Sequence, residues 1–162
     1  KTGTQETYDF GGDSTSFAGG RAHKGGFILF GSRYVTGKGG FYQVVSLDPK
    51  GKILWETIIK NKNVAYGSLN GFVRAIALLK DGSVLAMGAI EDSPQTQPHT
   101  PWFFKLSAQG SLLWEQRPDQ GSANTLWAAM ELADGSLLLI GDDRRKLWAG
   151  TFGSEGNSLC SQ

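Results

Sequence analysis

Gly82-Ser83-Val84-Leu85-Ala86-Met87-Gly88 and Gly135-Ser136-Leu137-Leu138-Leu139-Ile140-Gly141 are two copies of one phrase, and Gly25-Gly26-Phe27-Ile28-Leu29-Phe30-Gly31 is a third. Each is a run of four apolar residues closed by a glycine. Asp81 and Asp134 stand just before two of the copies, and Asp-Gly between apolar runs is a strong hairpin signal. A run this short suits a strand better than a helix. Being apolar at every position, it reads as a strand covered on both faces. Self-similarity of this kind is the mark of a repeat architecture.

A second landmark follows each copy. Leu47-Asp48-Pro49-Lys50-Gly51-Lys52-Ile53-Leu54-Trp55 matches Leu106-Ser107-Ala108-Gln109-Gly110-Ser111-Leu112-Leu113-Trp114, and Phe152 to Cys160 is the third version. Cys160 stands where the other copies have tryptophan, and free cysteine behaves as a small buried hydrophobe. Each unit then reads as four strands, here called a to d. Strand a is Ser16 to His23, Val73 to Lys80 and Leu126 to Ala133; strand b is the apolar run. Strand c is Phe41 to Leu47, Trp102 to Leu106 and Lys146 to Phe152, and strand d starts at the Gly-x-x-Leu-Trp element. The chain divides into a single all-β repeat domain with units at about 11–60, 68–118 and 121–162. Gln5 to Phe10 looks like the end of a strand d, and residues 4–10 are expected to complete the last outer strand.

The chain has 162 residues, 40% apolar and 19% charged, with 23 glycines and five prolines, as expected of a globular β protein rather than a disordered chain or collagen. The net charge is +1. Asp142-Asp143-Arg144-Arg145-Lys146 is a mixed run rather than a basic stripe, so nucleic acid has little electrostatic support as a partner. The single cysteine forms no intrachain disulfide and anchors no zinc site. No apolar run is long enough to span a membrane as a helix, and the chain opens at Lys1 without a signal-peptide pattern, as if trimmed from something longer. The lone buried-type cysteine and the character of the repeat suggest a periplasmic or secreted protein, with a cytoplasmic one also open.

The pattern Asp-Gly-Ser-apolar-Gly followed by Lys-Leu-x-x-x-Gly-x-Leu-Leu-Trp resembles bacterial β-propeller repeats, and is similar to the repeat of quinoprotein dehydrogenases, in which a Gly-x-x-x-Trp element staples neighbouring blades. The resemblance implies propeller blades over nearly the whole chain. A quinoprotein activity would further imply a quinone cofactor, a carboxylate metal site and adjacent cysteines, which one cysteine does not supply. No cofactor and no metal site are therefore expected. Closed propellers have about 4–8 blades. Three repeats imply either a homodimer closing as a six-bladed ring or part of a longer propeller. The alternative fold is a β-trefoil, which also has three four-stranded repeats, although no Gln-x-Trp signature is present.

The a–b and c–d turns are all short. The long connections, Arg33 to Gly40, Asn61 to Asn70, Glu91 to Pro101 and Pro118 to Thr125, belong to the d–a and b–c class, which shares one face of a blade. Long loops on a rigid scaffold usually carry binding. That face would present Tyr34, Tyr66, Asn70 and His99, together with Trp102, Arg117, Asp119 and Arg144; Tyr, Trp and Arg dominate binding hot spots. Arg74 and Trp127 occupy equivalent places early in strand a and are candidates to line a central channel or to pair between blades. No catalytic set assembles: His23 and His99 fall on opposite faces, and no nucleophile elbow exists. Glu91-Asp92 and Asp142-Asp143 lack the spacing of a calcium loop. The expected function is a non-catalytic binding or assembly module whose partner is a protein or a glycan. The alternatives are a carbohydrate-binding lectin and a part of a larger propeller enzyme.

Overall fold

A computed structural model describes residues 7–59, 71–90, 100–118, 125–143 and 146–161. The described residues form strands and no helix. The first sheet holds β1 (Ser14–His23), β2 (Gly26–Val35), β3 (Gly39–Leu47) and β4 (Ile53–Ile59). The second holds β5 (Gly71–Leu78), β6 (Val84–Ile90), β7 (Thr100–Leu106) and β8 (Leu112–Gln116), and the third β9 (Thr125–Glu131), β10 (Leu137–Asp143), β11 (Lys146–Phe152) and β12 (Ser158–Ser161). Each sheet is an antiparallel meander in chain order, and among the described residues no strand pairs outside its own sheet. A trefoil barrel needs pairing between repeats, so the trefoil alternative is overturned. The chain is all-β, with three four-stranded units stacked as blades.

Strands a to d of the sequence reading are these strands, and five of the six short turns between them share one construction, the exception being the two-residue Lys24-Gly25 turn between β1 and β2. In the turn from β5 to β6, Leu79 N–H donates to Ser83 O (3.0 Å) and Gly82 N–H to Leu79 O (2.9 Å). The same pair recurs at Leu132–Ser136, Asp48–Lys52, Ser107–Ser111 and Gly153–Asn157. The fourth residue of the turn has φ near +85°, as at Gly82 and Gly110, where a Cβ would be strained. Asp81 Oδ1 accepts from Ser83 N–H at 2.8 Å, and Asp134 Oδ1 from Ser136 N–H at 3.0 Å. The Asp-Gly-Ser spelling is thus a carboxylate-capped turn.

The closing glycine of the apolar run has a different cause. The first strand of each sheet carries a β-bulge, at Ala18, Arg74 and Trp127, and the residue opposite is Gly31, Gly88 or Gly141. The bulge drives a backbone carbonyl against that glycine: an added Cβ would lie 2.0 Å from Ser16 O, 1.9 Å from Phe72 O or 2.4 Å from Thr125 O. A bulge also re-aims the inserted side chain.

Packing runs along the stack. The first strand β5 lies against β1 on one side and β9 on the other, so the sheets fan out from an inner edge made by these strands. Ile28 and Phe30 of β2 join Val84 and Ala86 of β6 in one core cluster. Leu85 and Met87 of β6 join Leu137 and Leu139 of β10 in the other. The rule is regular: the second and fourth residues of strand b cover the first and third of the next copy. Among the described sheets, the middle one alone has a neighbour on both sides, and its β6 and β7 are buried throughout.

At the outer edge the tryptophans act between sheets. Trp55 Nε1 donates to Ala108 O at 3.1 Å, and Thr57 Oγ1 donates to Gly110 O. A Cβ on Gly110 would enter the Trp55 ring at 2.6 Å. Trp114 lies likewise against Gly156, although its buried indole N–H has no partner among the described residues. The side chain of Cys160, the equivalent position, lies outside the described residues.

The N-terminal stretch differs from the sequence expectation. The fourth strand of the third sheet is Ser158–Ser161, and residues 7–10 form no strand. Instead, Tyr8 Oη donates to Gly51 O, Phe10 packs edge-on to Phe17 (5.5 Å), and Asp13 N–H donates to Tyr34 O (3.0 Å). The stretch crosses the first sheet from its short-turn end to the opposite end. Tyr8 meets Gly51 as Thr57 meets the equivalent Gly110, the place a strand d from a preceding blade would take. Apolar contact with the first sheet decides its position; residues 1–6 lie outside the described residues.

Two outcomes follow. Gly88→Ala should cost about 3 kcal/mol, because a backbone carbonyl must move, whereas Gly37→Ala, with φ +74° and nothing within 4 Å, should cost about 1–2 kcal/mol; urea midpoints give the ranking. Asp81 is held below the usual carboxylate range by hydrogen bonds from Ser83, with Lys105 3.3 Å away. Folded Asp81 binds its proton less readily than unfolded, so its stabilisation is full above the ordinary value of about 3.9 and fades as pH falls through the lower folded value. Asp81→Asn should therefore flatten the loss of stability between about pH 5 and pH 3, read by denaturant titration at each pH.

Candidate functional site

Of the eight residues expected on the long-loop face, Tyr66, Asn70, His99, Asp119 and Arg144 lie outside the described residues, as do Glu91 and Asp92 and the side chain of Asp143. Tyr34 is half-buried at the end of β2, paired with Ser14 and Gly40. Arg117 is exposed just beyond β8. Trp102 is not on the surface: it is 2% exposed and packs at a tilt against Tyr42 (4.7 Å between ring centres) and Phe104 (4.6 Å). β7 starts at Thr100, so strand alternation directs Trp102 between the first two sheets. The Arg33 to Gly40 connection is also tighter than expected. β2 runs to Val35 and β3 starts at Gly39, which leaves a three-residue turn closed by Lys38 N–H to Val35 O at 2.9 Å.

The structure brings together a different set. Arg74 and Trp127 are the bulge residues of β5 and β9, at the inner edge and near the end where the d–a connections arrive. Their equivalence was legible from the repeat; both side chains are exposed and they touch. The Arg74 guanidinium lies 4.3 Å from the Trp127 ring centre and 4.6 Å from that of Phe72. Trp127 Nε1 donates to Asp142 Oδ2 at the end of β10. Phe72, two residues before Arg74 in β5, was missed. Trp127 remains 45% exposed. Among the described residues, no hydrogen bond or ion pair occupies the Arg74 N–H donors. The rings hold the guanidinium by cation–π contact, which engages its face and not its N–H donors.

A concavity of about 330 Å³ lies on the short-turn end between the first two sheets, lined in part by His23, Asp48, Pro49, Trp55 and Ala108. Burial, and then the charge of Lys24, hold His23 below its ordinary pKa. Its ring is thus neutral near pH 7 and accepts at one nitrogen. Among the described residues, no three His, Cys, Asp or Glu side chains gather as a metal site.

No family model and no curated protein matches the chain. Among solved structures, the chain is similar to a protein of unknown function from Bacteroides caccae, with a TM-score of 0.57 and 12% identity over 93% of this chain. The match covers 46% of that protein, so the chain spans less than half of its length. The likeness is one of fold: an all-β array of blade-like sheets.

Trp102→Ala should lower stability by about 3–5 kcal/mol, the usual cost of emptying a buried aromatic site. Thermal or urea unfolding reads this; a surface role would leave stability unchanged.

Proposed function

We propose that the protein is a non-catalytic binding module, and that the Arg74–Trp127 cluster at the inner edge of its long-connection face takes an acidic group of a protein partner. The observation that carries the reading is an exposed guanidinium resting on the Phe72 and Trp127 rings, with no hydrogen-bond or ion-pair partner among the described residues. A planar fork of donors matches a carboxylate, and fixing it beforehand lowers the ordering cost of binding. The exposed face of Trp127 adds apolar contact beside the charge, the combination found in interface hot spots. Asp142 holds the indole by its N–H and sets the ring orientation. Tyr34 and Arg117 flank the same face and would extend the contact.

A ten-residue glutamate peptide titrated against the protein, followed by tryptophan fluorescence at low salt, tests this. Saturable binding should weaken at least about tenfold in both Arg74→Ala and Arg74→Lys, as expected where bidentate geometry matters. Equal binding by wild type and Arg74→Ala overturns the assignment. Binding to neutral sugars on a glycan array, undiminished in Arg74→Ala, would favour the lectin reading instead.

A further inference from the structure

The joint between the first two sheets departs from the repeat at its short-turn end. Four residues connect Ala22 of β1 to Phe27 of β2, where five connect the equivalent Leu78 and Val84. The shorter turn holds Lys24 in the left-handed region at φ +46°, a conformation that costs a non-glycine residue and that collects at functional sites. Its side chain crosses the joint: Nζ lies 2.7 Å from where a Cβ on Gly82 would stand. The charges differ too. On the second sheet Lys105 pairs with Asp81 at 3.3 Å. The equivalent positions on the first sheet hold Ser46 and Lys24, so that pair is missing. Ser46 is far shorter than lysine, and the concavity of about 330 Å³ opens beside it.

Two opposite charges line this concavity without meeting. Among the described residues Lys24 forms no ion pair. Asp48 Oδ1 accepts from the N–H groups of Lys50 and Lys52, both at 2.8 Å, and Oδ2 has no partner among the described residues. His23, neutral near pH 7, offers a donor at one ring nitrogen and an acceptor at the other. Trp55 Nε1 already donates to Ala108 O, so its ring and Pro49 supply apolar wall.

We propose that this concavity binds a small zwitterion of the α-amino acid class, with its carboxylate on Lys24, its ammonium on Asp48 Oδ2 and an apolar side chain against Trp55 and Pro49. Opposite charges held apart at one cavity are complementary to a ligand that carries both, and a ligand with one charge satisfies only one of them. The volume lies at the low end of the range of about 300–1,000 Å³ for small-molecule sites, which suits a single amino acid. The walls come from turns and strands inside two packed sheets. The site lies at the opposite end of the strands from the Arg74–Trp127 cluster, and neither rests on the other.

Titration of the full chain with L-leucine tests the proposal, followed by the Trp55 indole resonance and the backbone amides of His23, Lys24 and Asp48 in proton–nitrogen correlation spectra. Two probes each lack one charge: isocaproate has no ammonium and isopentylamine has no carboxylate. L-leucine should saturate, and each single-charge probe should bind at least about tenfold more weakly. Lys24→Asn, which keeps a residue that tolerates the left-handed turn, should weaken L-leucine and leave isopentylamine as it was. Asp48→Asn, whose Oδ1 still accepts from the turn amides, should weaken L-leucine and leave isocaproate as it was. Arg74→Ala should change neither. No saturation by L-leucine below about 10 mM overturns the proposal. So does equal binding of L-leucine and either single-charge probe, or L-leucine binding indifferent to Lys24→Asn or to Asp48→Asn.

Discussion

Everything in this fold depends on a strand that has two apolar sides and therefore needs two neighbours. A β-strand presents alternate residues to opposite faces, and strand b spends all four of its apolar positions on that fact. Ile28 and Phe30 reach forward, Val84 and Ala86 reach back, and the next pair repeats the exchange. Strand pairing stays within each sheet, while the contact that joins strand b of one sheet to strand b of the next is apolar and without direction. Such a unit cannot be satisfied alone. The meander fixes each blade, and the alternation decides that blades must stack.

The remaining devices tune that stack. The bulge at Arg74 and Trp127 turns a side chain out of the sheet plane at the inner edge, and the facing glycine makes room for the displaced carbonyl. The tryptophan of strand d ties the outer edge across to the next turn. Inner and outer edges are thus held by different chemistry, and the site proposed for binding belongs to the inner one. Its parts come from two sheets: Phe72 and Arg74 from the second, Trp127 and Asp142 from the third. The cluster exists only because those sheets pack, which links the apolar core to the proposed site.

Much of the architecture was legible because local rules and the repeat agreed. Asp81-Gly82-Ser83 and Gly110 mark turns whose geometry needs them, and strand b announces burial on both sides by composition alone. The β11 strand has the bounds the sequence suggested, Lys146–Phe152. What escaped was whatever depends on a neighbour far along the chain. Trp102 reads as a loop aromatic next to Pro101, and only the length of β7 and its partner Tyr42 make it core. Residues 7–10 have the pattern of a strand end, yet pattern does not say which sheet they meet. The closing glycines were visible as a motif, but their cause, a carbonyl pushed across by a bulge, is a fact of three dimensions. Most of the loop residues proposed for binding fall outside the described residues, and the cluster at Arg74 was foreshadowed only by the equivalence of two positions.

The one-dimensional order of the sheets has a consequence for motion. Each sheet leans only on its neighbours, so stability should pass along the stack as it does in linear repeat proteins. The middle sheet, covered on both sides, then acts as the keystone, and β6 and β7 hold the amides slowest to exchange. Protection should decline toward β1 and β12, the strands with least cover. The cluster at Arg74 and Trp127 sits across the joint between the keystone and an outer sheet. Opening of that joint would dissolve the site before the chain unfolds, and a bound partner would hold the joint closed.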